Sequence, residues 1–146
     1  MKKLWVVSVI GIMCLSTVMA QNNLLEQGST IGLNINTDRN GTIQNAFATA
    51  ISAAALVIDN NNPGYLLNVN ITITQLNTPN TPNIEFVRIE LIANLLDSTG
   101  RILLPYTINW REGHFTQEGA EERVYRRAVM KINEEYKNLL EDIIGG

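Results

Sequence analysis

Apolar and polar residues alternate along four stretches of the chain, and this two-residue period is typical of strands that bury one face. The stretches are STIGLNINT from Ser29, YLLNVNITITQL from Tyr65, IEFVRIELIANLLD from Ile84 and RILLPYTINW from Arg101. The alternation predicts four strands, each with a buried side and a solvated side. The side chains expected in the core are Ile31, Leu33, Ile35, Leu67, Val69, Ile71, Ile73, Val87, Ile89, Leu91, Ala93, Leu95, Ile102, Leu104, Tyr106, Ile108 and Trp110.

Two other stretches repeat apolar residues every three or four positions, which is the period of an amphipathic helix. The first stripe begins at Ile43 and is expected to continue to Ile58, with Asn40 or Thr42 capping its start. The charged residues between the positions of the second stripe are expected to form the solvated back of its helix. The second stripe consists of Ala120, Val124, Ala128, Ile132, Tyr136, Leu139 and Ile143.

The order of these elements is strand, helix, three strands and helix. It predicts an α/β fold built as a two-layer sandwich, in which a four-stranded, mostly antiparallel sheet is covered on one face by two helices. The turn sequence DSTG at 97–100 favours an antiparallel meander for the last three strands, and the first helix is expected to link parallel strands. Pro105 cannot donate to a ladder, which favours an edge or a bulge there. The position of the first strand within the sheet is left open.

The amino terminus has the layout of a secretory signal peptide. In MKKLWVVSVIGIMCLSTVMA two lysines precede a short apolar run, and small residues end it at Ala20. We therefore expect a signal peptide at 1–20 and one domain at 21–146, with no stable membrane span after cleavage. Two alternatives stay open, namely an uncleaved anchor and a lipid attached to Cys14.

Composition and charge narrow the classes of function. The 11 basic and 14 acidic residues give a net charge of −3, which becomes −5 once Lys2 and Lys3 leave with the signal. A mildly acidic chain repels phosphate backbones, so nucleic acid is not an expected partner. The one cysteine, Cys14, lies within the signal, so the mature domain is expected to contain no disulfide, thiolate metal site or cysteine nucleophile.

Catalytic chemistry is not expected from the remaining residues. His114 is the only histidine, and its neighbours Glu112 and Glu118 could serve as partners in proton transfer. A histidine between a strand and a helix is more often a surface residue, and no serine stands in a nucleophile-elbow context. The sequence therefore predicts no enzyme, no cofactor and no metal site.

The solvated side of the predicted sheet is the candidate binding face. It carries amides, hydroxyls and a few charges that could bind a glycan strand or dock a partner protein. The simpler interpretation is a hydrated sheet surface, where asparagine and threonine maintain polarity without charge. The candidate residues are Asn68, Asn70, Thr72, Arg88, Glu90, Asn109 and Arg111.

The segments GYLLNVNITITQL and ANLLDSTGRILLPYTINWREG, followed by a closing helix, resemble bacterial envelope domains related to the curli-secretion lipoprotein CsgG and the penicillin-binding-protein activator LpoB. Asp97, Thr99, Gly100 and Ile102 match that group's hairpin form D-x-x-T-G-x-I/L, and the likeness runs from about Gly64 to Leu140. The first half departs from the group, because TIQNAFATAISAAALVIDNNNPG leads from helix to strand without a further strand and helix. The resemblance implies an adaptor or assembly factor with protein partners.

These observations together predict an exported, non-enzymatic binding or assembly module of the bacterial envelope, located in the periplasm or secreted. An envelope protein is the expected partner. The alternatives are a sheet that binds glycan or peptidoglycan, and a small exported hydrolase that uses His114.

Overall fold

The computed structural model describes residues 24–145. The predicted signal peptide, with Cys14, lies outside the described residues. Seven strands and three α-helices follow one another along the described chain, and a π-helical turn joins the last two helices. They are β1 (Leu25–Glu26), β2 (Thr30–Asn36), α1 (Thr42–Ala53), β3 (Val57–Ile58), β4 (Tyr65–Leu76), β5 (Glu85–Leu96), β6 (Ile102–His114), α2 (Gln117–Lys131), the π turn (Ile132–Tyr136), α3 (Lys137–Ile143) and β7 (Ile144–Gly145).

The main sheet has the strand order β3-β2-β4-β5-β6, and helices cover one of its faces. The predicted two-layer α/β sandwich is therefore confirmed, with five strands in place of four. β4, β5 and β6 form the expected antiparallel meander. β2 lies between β3 and β4 and is parallel to both, so α1 does link parallel strands.

The core lies between the helices and the inner face of the sheet. Alternate residues of β4 and β5 are fully or almost fully buried, as the two-residue period predicts. Three rings from three elements meet at its centre. Phe47 of α1 stands edge-on to Tyr136, with ring centroids 4.9 Å apart, and Tyr106 of β6 lies 5.2 Å from Tyr136. These contacts hold both helical segments against the sheet.

The first helix ends earlier than its apolar stripe predicts. It stops at Ala53, and Ala55 takes a left-handed φ of 61°, so Val57 and Ile58 leave the helix to form β3. The N–H of Val57 donates to the carbonyl of Ser29 at 3.0 Å, so pairing with β2 outweighs helical periodicity here. A short strand thus separates α1 from β4, where the sequence suggested a direct passage from helix to strand.

The cap of the first helix also differs from the prediction. Neither Asn40 nor Thr42 caps it through its side chain. The carboxylate of Asp38 instead accepts from the N–H of Ile43 at 3.1 Å and from the N–H of Gln44 at 2.9 Å. An acid on the turn before the helix satisfies the same free N–H groups as a cap residue.

A β-bulge overturns one core assignment. Leu95 pairs with Leu104, and Leu96 pairs with Ile102, so Leu103 is an extra residue in β6. One extra residue reverses the alternation before it. Ile102, expected in the core, is therefore 51% exposed on the outer face.

The closing helix carries a buried stripe of unusual spacing. Its fully buried residues recur at intervals of four, whereas four residues of an α-helix turn through roughly 400°, so each interval drifts by roughly 40°. A straight α-helix would therefore carry Leu140 far from the side of Ala120. The π turn at Ile132–Tyr136 has more residues per turn and brings the stripe back to the core. The stripe consists of Ala120, Val124, Ala128, Ile132, Tyr136 and Leu140.

The two ends of the described chain pair with each other. β1 and β7 run parallel, with Leu25 opposite Ile144 and Glu26 opposite Gly145. Leu25 is buried in the core, so this pair is anchored by packing as well as by hydrogen bonds. Within residues 24–145, none of the helices has the length and apolar character required to cross a membrane.

Candidate binding face

The face of the sheet turned away from the helices is called the outer face here. The strand register sets its side chains in rows across β2, β4, β5 and β6. All seven residues predicted for a binding face lie on it, and the rows bring them together. The rows that contain them are Asn34–Asn68–Asn94–Pro105, Asn36–Asn70–Ile92–Thr107, Thr72–Glu90–Asn109 and Thr74–Arg88–Arg111.

Amides dominate the part of this face next to β2. Asn34 Nδ2 donates to Asn68 Oδ1 at 2.9 Å across the parallel pair, and Asn94 stands on the other side of Asn68. Asn36 and Asn70 occupy the next row and are exposed. Such a ladder leaves donors and acceptors directed at solvent, which is the chemistry of a surface that forms hydrogen bonds with a partner.

Charge is concentrated toward the other end of the outer face. Arg88 and Arg111 lie directly opposite each other on β5 and β6. Arg88 pairs with Glu90 on its own strand at 3.3 Å, and the guanidinium of Arg111 lies 5.2 Å from the ring centre of Phe86. Two like charges in directly opposed positions disfavour the folded sheet. Glu90 offsets part of this repulsion, while Arg111 forms no ion pair with a carboxylate within residues 24–145.

One apolar side chain stands at the centre of the outer face. Ile92 is 48% exposed between Asn70 and Thr107. Further apolar groups lie at one end, where Leu66, Leu96 and Ile102 share a row next to the bulge. An exposed apolar residue inside a polar rim is the usual composition at the centre of a protein interface.

The hairpin that resembles the envelope domains owes its shape to Asp97. Its Oδ1 accepts from the N–H of Thr99 at 2.9 Å, from the Thr99 hydroxyl at 2.6 Å and from the N–H of Arg101 at 3.0 Å. The hydrogen bond from the Thr99 side chain is the main cause that lowers the pKa of this carboxyl. Gly100 supplies the positive φ that the turn requires. The motif is thus a turn, and its residues have no other contacts that indicate chemistry.

The proton-transfer pair considered for His114 does not assemble. Among residues 24–145 the ring of His114 forms hydrogen bonds only with Thr116, whose N–H donates to Nδ1 at 3.2 Å. Glu112 accepts from the indole N–H of Trp110 at 2.8 Å, and Glu118 is 84% exposed beside Arg39. The ring packs so closely on Gly119 that a Cβ there would overlap it. His114 therefore supports the start of α2.

The helical side of the molecule offers a groove between α1 and the α2–π turn segment. Its volume is about 460 Å³, and its walls are mainly alanine, threonine and asparagine, with Lys137 at one end. Lys137 pairs with Glu141 at 3.2 Å. In the described part of the chain no His, Cys, Asp and Glu side chains gather in threes that could hold a metal ion.

Sequence reasoning missed Asn34 and Asn36 as part of the outer face. Their alternation with apolar residues placed them on the solvated side of a strand. Alternation within one strand does not show which strand lies beside it, since a parallel neighbour is chosen by tertiary packing. The asparagines of NIN and NVN are in register, with Asn34 opposite Asn68 and Asn36 opposite Asn70, and this repetition was the available signal.

No family model matches this sequence, and no curated protein matches it. A solved structure does share its fold. A minor lipoprotein from Acinetobacter baumannii has a TM-score of 0.56 at 16% identity, over 77% of this chain and 92% of that chain. Rare lipoprotein B from Shewanella oneidensis has a TM-score of 0.48 at 9% identity, over 77% of this chain and 92% of that one. The first likeness establishes a fold shared with a bacterial lipoprotein, and the second adds no argument.

Proposed function

We propose that this chain is an exported, non-enzymatic binding module of the bacterial cell envelope, and that its outer face docks a protein partner. The observation that carries the proposal is the asymmetry of the sheet. Helices cover one face, while the other face presents Ile92 within a rim of amides, hydroxyls and charges. The signal-like segment 1–20 and the fold shared with a bacterial lipoprotein support an envelope location.

The chemistry of the face indicates what the partner should present. Ile92 requires an apolar contact, because its exposed area gains free energy only when water is removed from it. The opposed Arg88 and Arg111 favour an acidic group, which would offset their mutual repulsion. The neighbouring asparagines can satisfy the backbone or side-chain amides of the same partner. We therefore propose a protein surface with an apolar centre and a carboxylate beside it.

The hairpin of Asp97, Thr99 and Gly100 resembles the hairpin of the CsgG and LpoB group of envelope domains. Adaptor or assembly activity is the function that this resemblance implies. It agrees with a protein-binding face and requires no catalytic residues.

An aspartate at the centre of the outer face tests the proposal. Ile92→Asp buries a charge in the docked complex and should weaken partner binding by about 30-fold or more, because an unpaired buried carboxylate is costly. Met130→Asp is the matched control, since Met130 on α2 is 44% exposed and Ile92 is 48% exposed. The measurement is cross-linking in intact envelopes followed by mass spectrometry of the captured protein, with thermal unfolding of both variants. Equal capture by both variants would contradict the proposal.

A glycan strand is the second candidate, because the hydrogen-bonded Asn34–Asn68 pair continues into a row of amides. Joint replacement of Asn68, Asn70 and Asn109 by Ala should then abolish binding to purified peptidoglycan, while Ile92→Asp should have a smaller effect. The protein-docking proposal expects the opposite ranking for capture of the protein partner in envelopes, and it expects no binding of the wild type to purified peptidoglycan. Sedimentation with purified cell-wall sacculi separates the two.

Export has its own test, which also addresses the alternatives at the amino terminus. Mass spectrometry of the protein isolated from cells should give an amino terminus at Gln21. A mass that retains residues 1–20 would indicate an anchor, and an acylated Cys14 at the amino terminus would indicate a lipoprotein. His114→Ala should leave any envelope phenotype unchanged, and a loss without a change in thermal unfolding would favour the hydrolase alternative, since the His114 ring also packs on Gly119.

A further inference from the structure

The last strand of the meander has an open edge. β6 is 13 residues long and ends the sheet, with β5 on one side and no strand on the other within residues 24–145. Unpaired backbone N–H and C=O groups along such an edge are a template for another strand. The short strand β3 occupies the opposite end of the sheet, so the two ends differ greatly in length.

Three observations identify which residues of β6 direct their backbone groups to the open edge. At the hairpin, the N–H of Asp97 donates to the carbonyl of Arg101 at 3.0 Å, so Asp97 and Arg101 form a hydrogen-bonded pair. Hydrogen-bonded pairs alternate along an antiparallel ladder, and the bulge adds one residue to β6. Beyond the bulge, the even-numbered residues of β6 therefore direct their N–H and C=O groups to β5. Pro105, which has no N–H to give, falls in the other set. The carbonyl of Gly113 accepts from Arg123 Nη1 at 3.0 Å. The edge set is therefore Pro105, Thr107, Asn109, Arg111 and Gly113.

We propose that two copies of this chain associate by antiparallel pairing of β6 with β6 about a twofold axis at Asn109. In this register Asn109 faces Asn109 of the second copy, Thr107 faces Arg111, and Pro105 faces Gly113. Facing edge residues exchange two N–H···O bonds in an antiparallel ladder. The two outer faces then form one continuous surface.

The hydrogen-bond inventory of the edge fits this register. Pro105 has no N–H, so the carbonyl of the facing Gly113 receives no bond across the interface. That carbonyl already accepts from Arg123 of its own chain. The N–H of Gly113 remains free to donate to the carbonyl of Pro105. A shift by two residues would instead set Pro105 against Arg111 and leave the Arg111 carbonyl without a donor.

The side chains agree with the same pairing. Arg111 meets Thr107 of the second copy, so no like charges are opposed across the axis. The two Asn109 amides can bond to each other on the outer face. On the helix side, the buried Ile108 lies opposite the partly buried Trp110, so this pair places no charged residue of β6 beside the axis. The occupant that this edge fits is therefore another copy of itself.

Proline substitution tests the proposal without removing any internal ladder bond. Asn109→Pro deletes the edge N–H at the axis, and Pro105 shows that this set of positions tolerates proline. We expect the wild type to be dimeric in sedimentation equilibrium and Asn109→Pro to associate at least about 30-fold more weakly. Asn109→Ala retains the N–H and should remain dimeric. Circular dichroism confirms the fold of each variant.

Amide hydrogen exchange provides a readout that needs no variant. The amides of Thr107, Asn109 and Arg111 should gain protection as protein concentration rises, whereas those of Ile108 and Trp110 should be protected at every concentration. A wild type that stays monomeric at millimolar concentration overturns the proposal. So does a dimer in which the three edge amides exchange freely, or edge protection that needs another protein rather than a second copy. Ile92→Asp should leave dimerisation intact, so failure of the outer-face proposal is distinguishable from failure of this one.

Discussion

Arg88 and Arg111 lie opposite each other on the outer face, and a substitution there should change partner binding far more than the free energy of unfolding. Arg111→Glu would replace an opposed pair of like charges with an ion pair, and it would also lose the contact between Arg111 and the Phe86 ring. Each of these effects is worth roughly 0.5 kcal/mol at an exposed site and they have opposite signs. We expect the free energy of unfolding to change by less than about 1 kcal/mol in urea denaturation, while partner binding falls strongly. A gain in binding would show that the partner is basic.

Tyr136 places an unpaired hydroxyl in the core of the described chain. Its side chain is fully buried, and its hydroxyl has no hydrogen-bond partner among the described residues. Tyr136→Phe removes a buried, unsatisfied polar group and should raise the free energy of unfolding by about 1 kcal/mol. Tyr106→Phe is the control, because the Tyr106 hydroxyl donates to Glu135 at 2.9 Å and its loss should be destabilising. Thermal unfolding at neutral pH should rank the two variants in that order.

The same tyrosines give the protein a defined response to alkali. Burial raises the pKa of Tyr136, and burial together with the hydrogen bond to Glu135 raises the pKa of Tyr106, both above the ordinary value of 10.0. The folded state then holds these protons at a pH where the unfolded chain has released them. The contribution of these two protons to the free energy of unfolding is therefore fully present below about pH 10 and is lost as the pH rises above it. In unfolding measured from pH 8 to 11, Tyr136→Phe should show a shallower decline than the wild type.

At the scale of elements, the π turn can be tested by deletion. A π turn behaves as an α-helix with one extra residue, so removing the exposed Glu134 should convert it to α-helix and keep Tyr136 near its place. We expect a loss of at most about 2 kcal/mol and an unchanged helical signal. Deletion of Arg126, in the regular part of α2, is the matched control, because it rotates the two parts of the helix by about 100° relative to each other. It should cost far more, and equal losses would contradict this account.

The elements also show which parts of the fold a sequence can predict. β4 and β5 follow strict alternation, so the inward residues from Leu67 to Leu95 were assigned correctly. Pro105 indicated an edge or a bulge, and β6 has both, but Pro105 did not show that the extra residue is Leu103, so Ile102 was assigned to the wrong face. β3 is two residues long, which is too short for any period to appear, and its pairing with β2 depends on contacts distant in sequence. The outer face was predictable because its residues all occupy the polar positions of the alternation. The position of β2 beside β4 was not predictable from that alternation.

At the scale of the whole molecule, the β1–β7 pair joins the two ends of the described chain. Leu25 is buried in the same core as the residues of the closing helix. Leu25→Ala should therefore lower the free energy of unfolding by about 2–4 kcal/mol through the cavity it creates. Glu26→Ala, on the exposed side of the same strand, should change it by less than about 0.5 kcal/mol. Urea denaturation of both variants measures the difference, and equal effects would show that the pair is not anchored in the core.

The parallel contact of Leu25 with Ile144 brings the two ends of the described chain onto neighbouring strands, about 5 Å apart. Residues 24 and 145 therefore lie on the same side of the sandwich. Because the two strands are parallel, a linker on the order of a dozen residues, which can turn back along the pair, would be required to join position 145 to position 24, and new ends could be opened in the exposed loop between Asn77 and Asn83. Such a circular permutant should fold to the same sandwich, with its beginning and end moved to the opposite pole of the sheet.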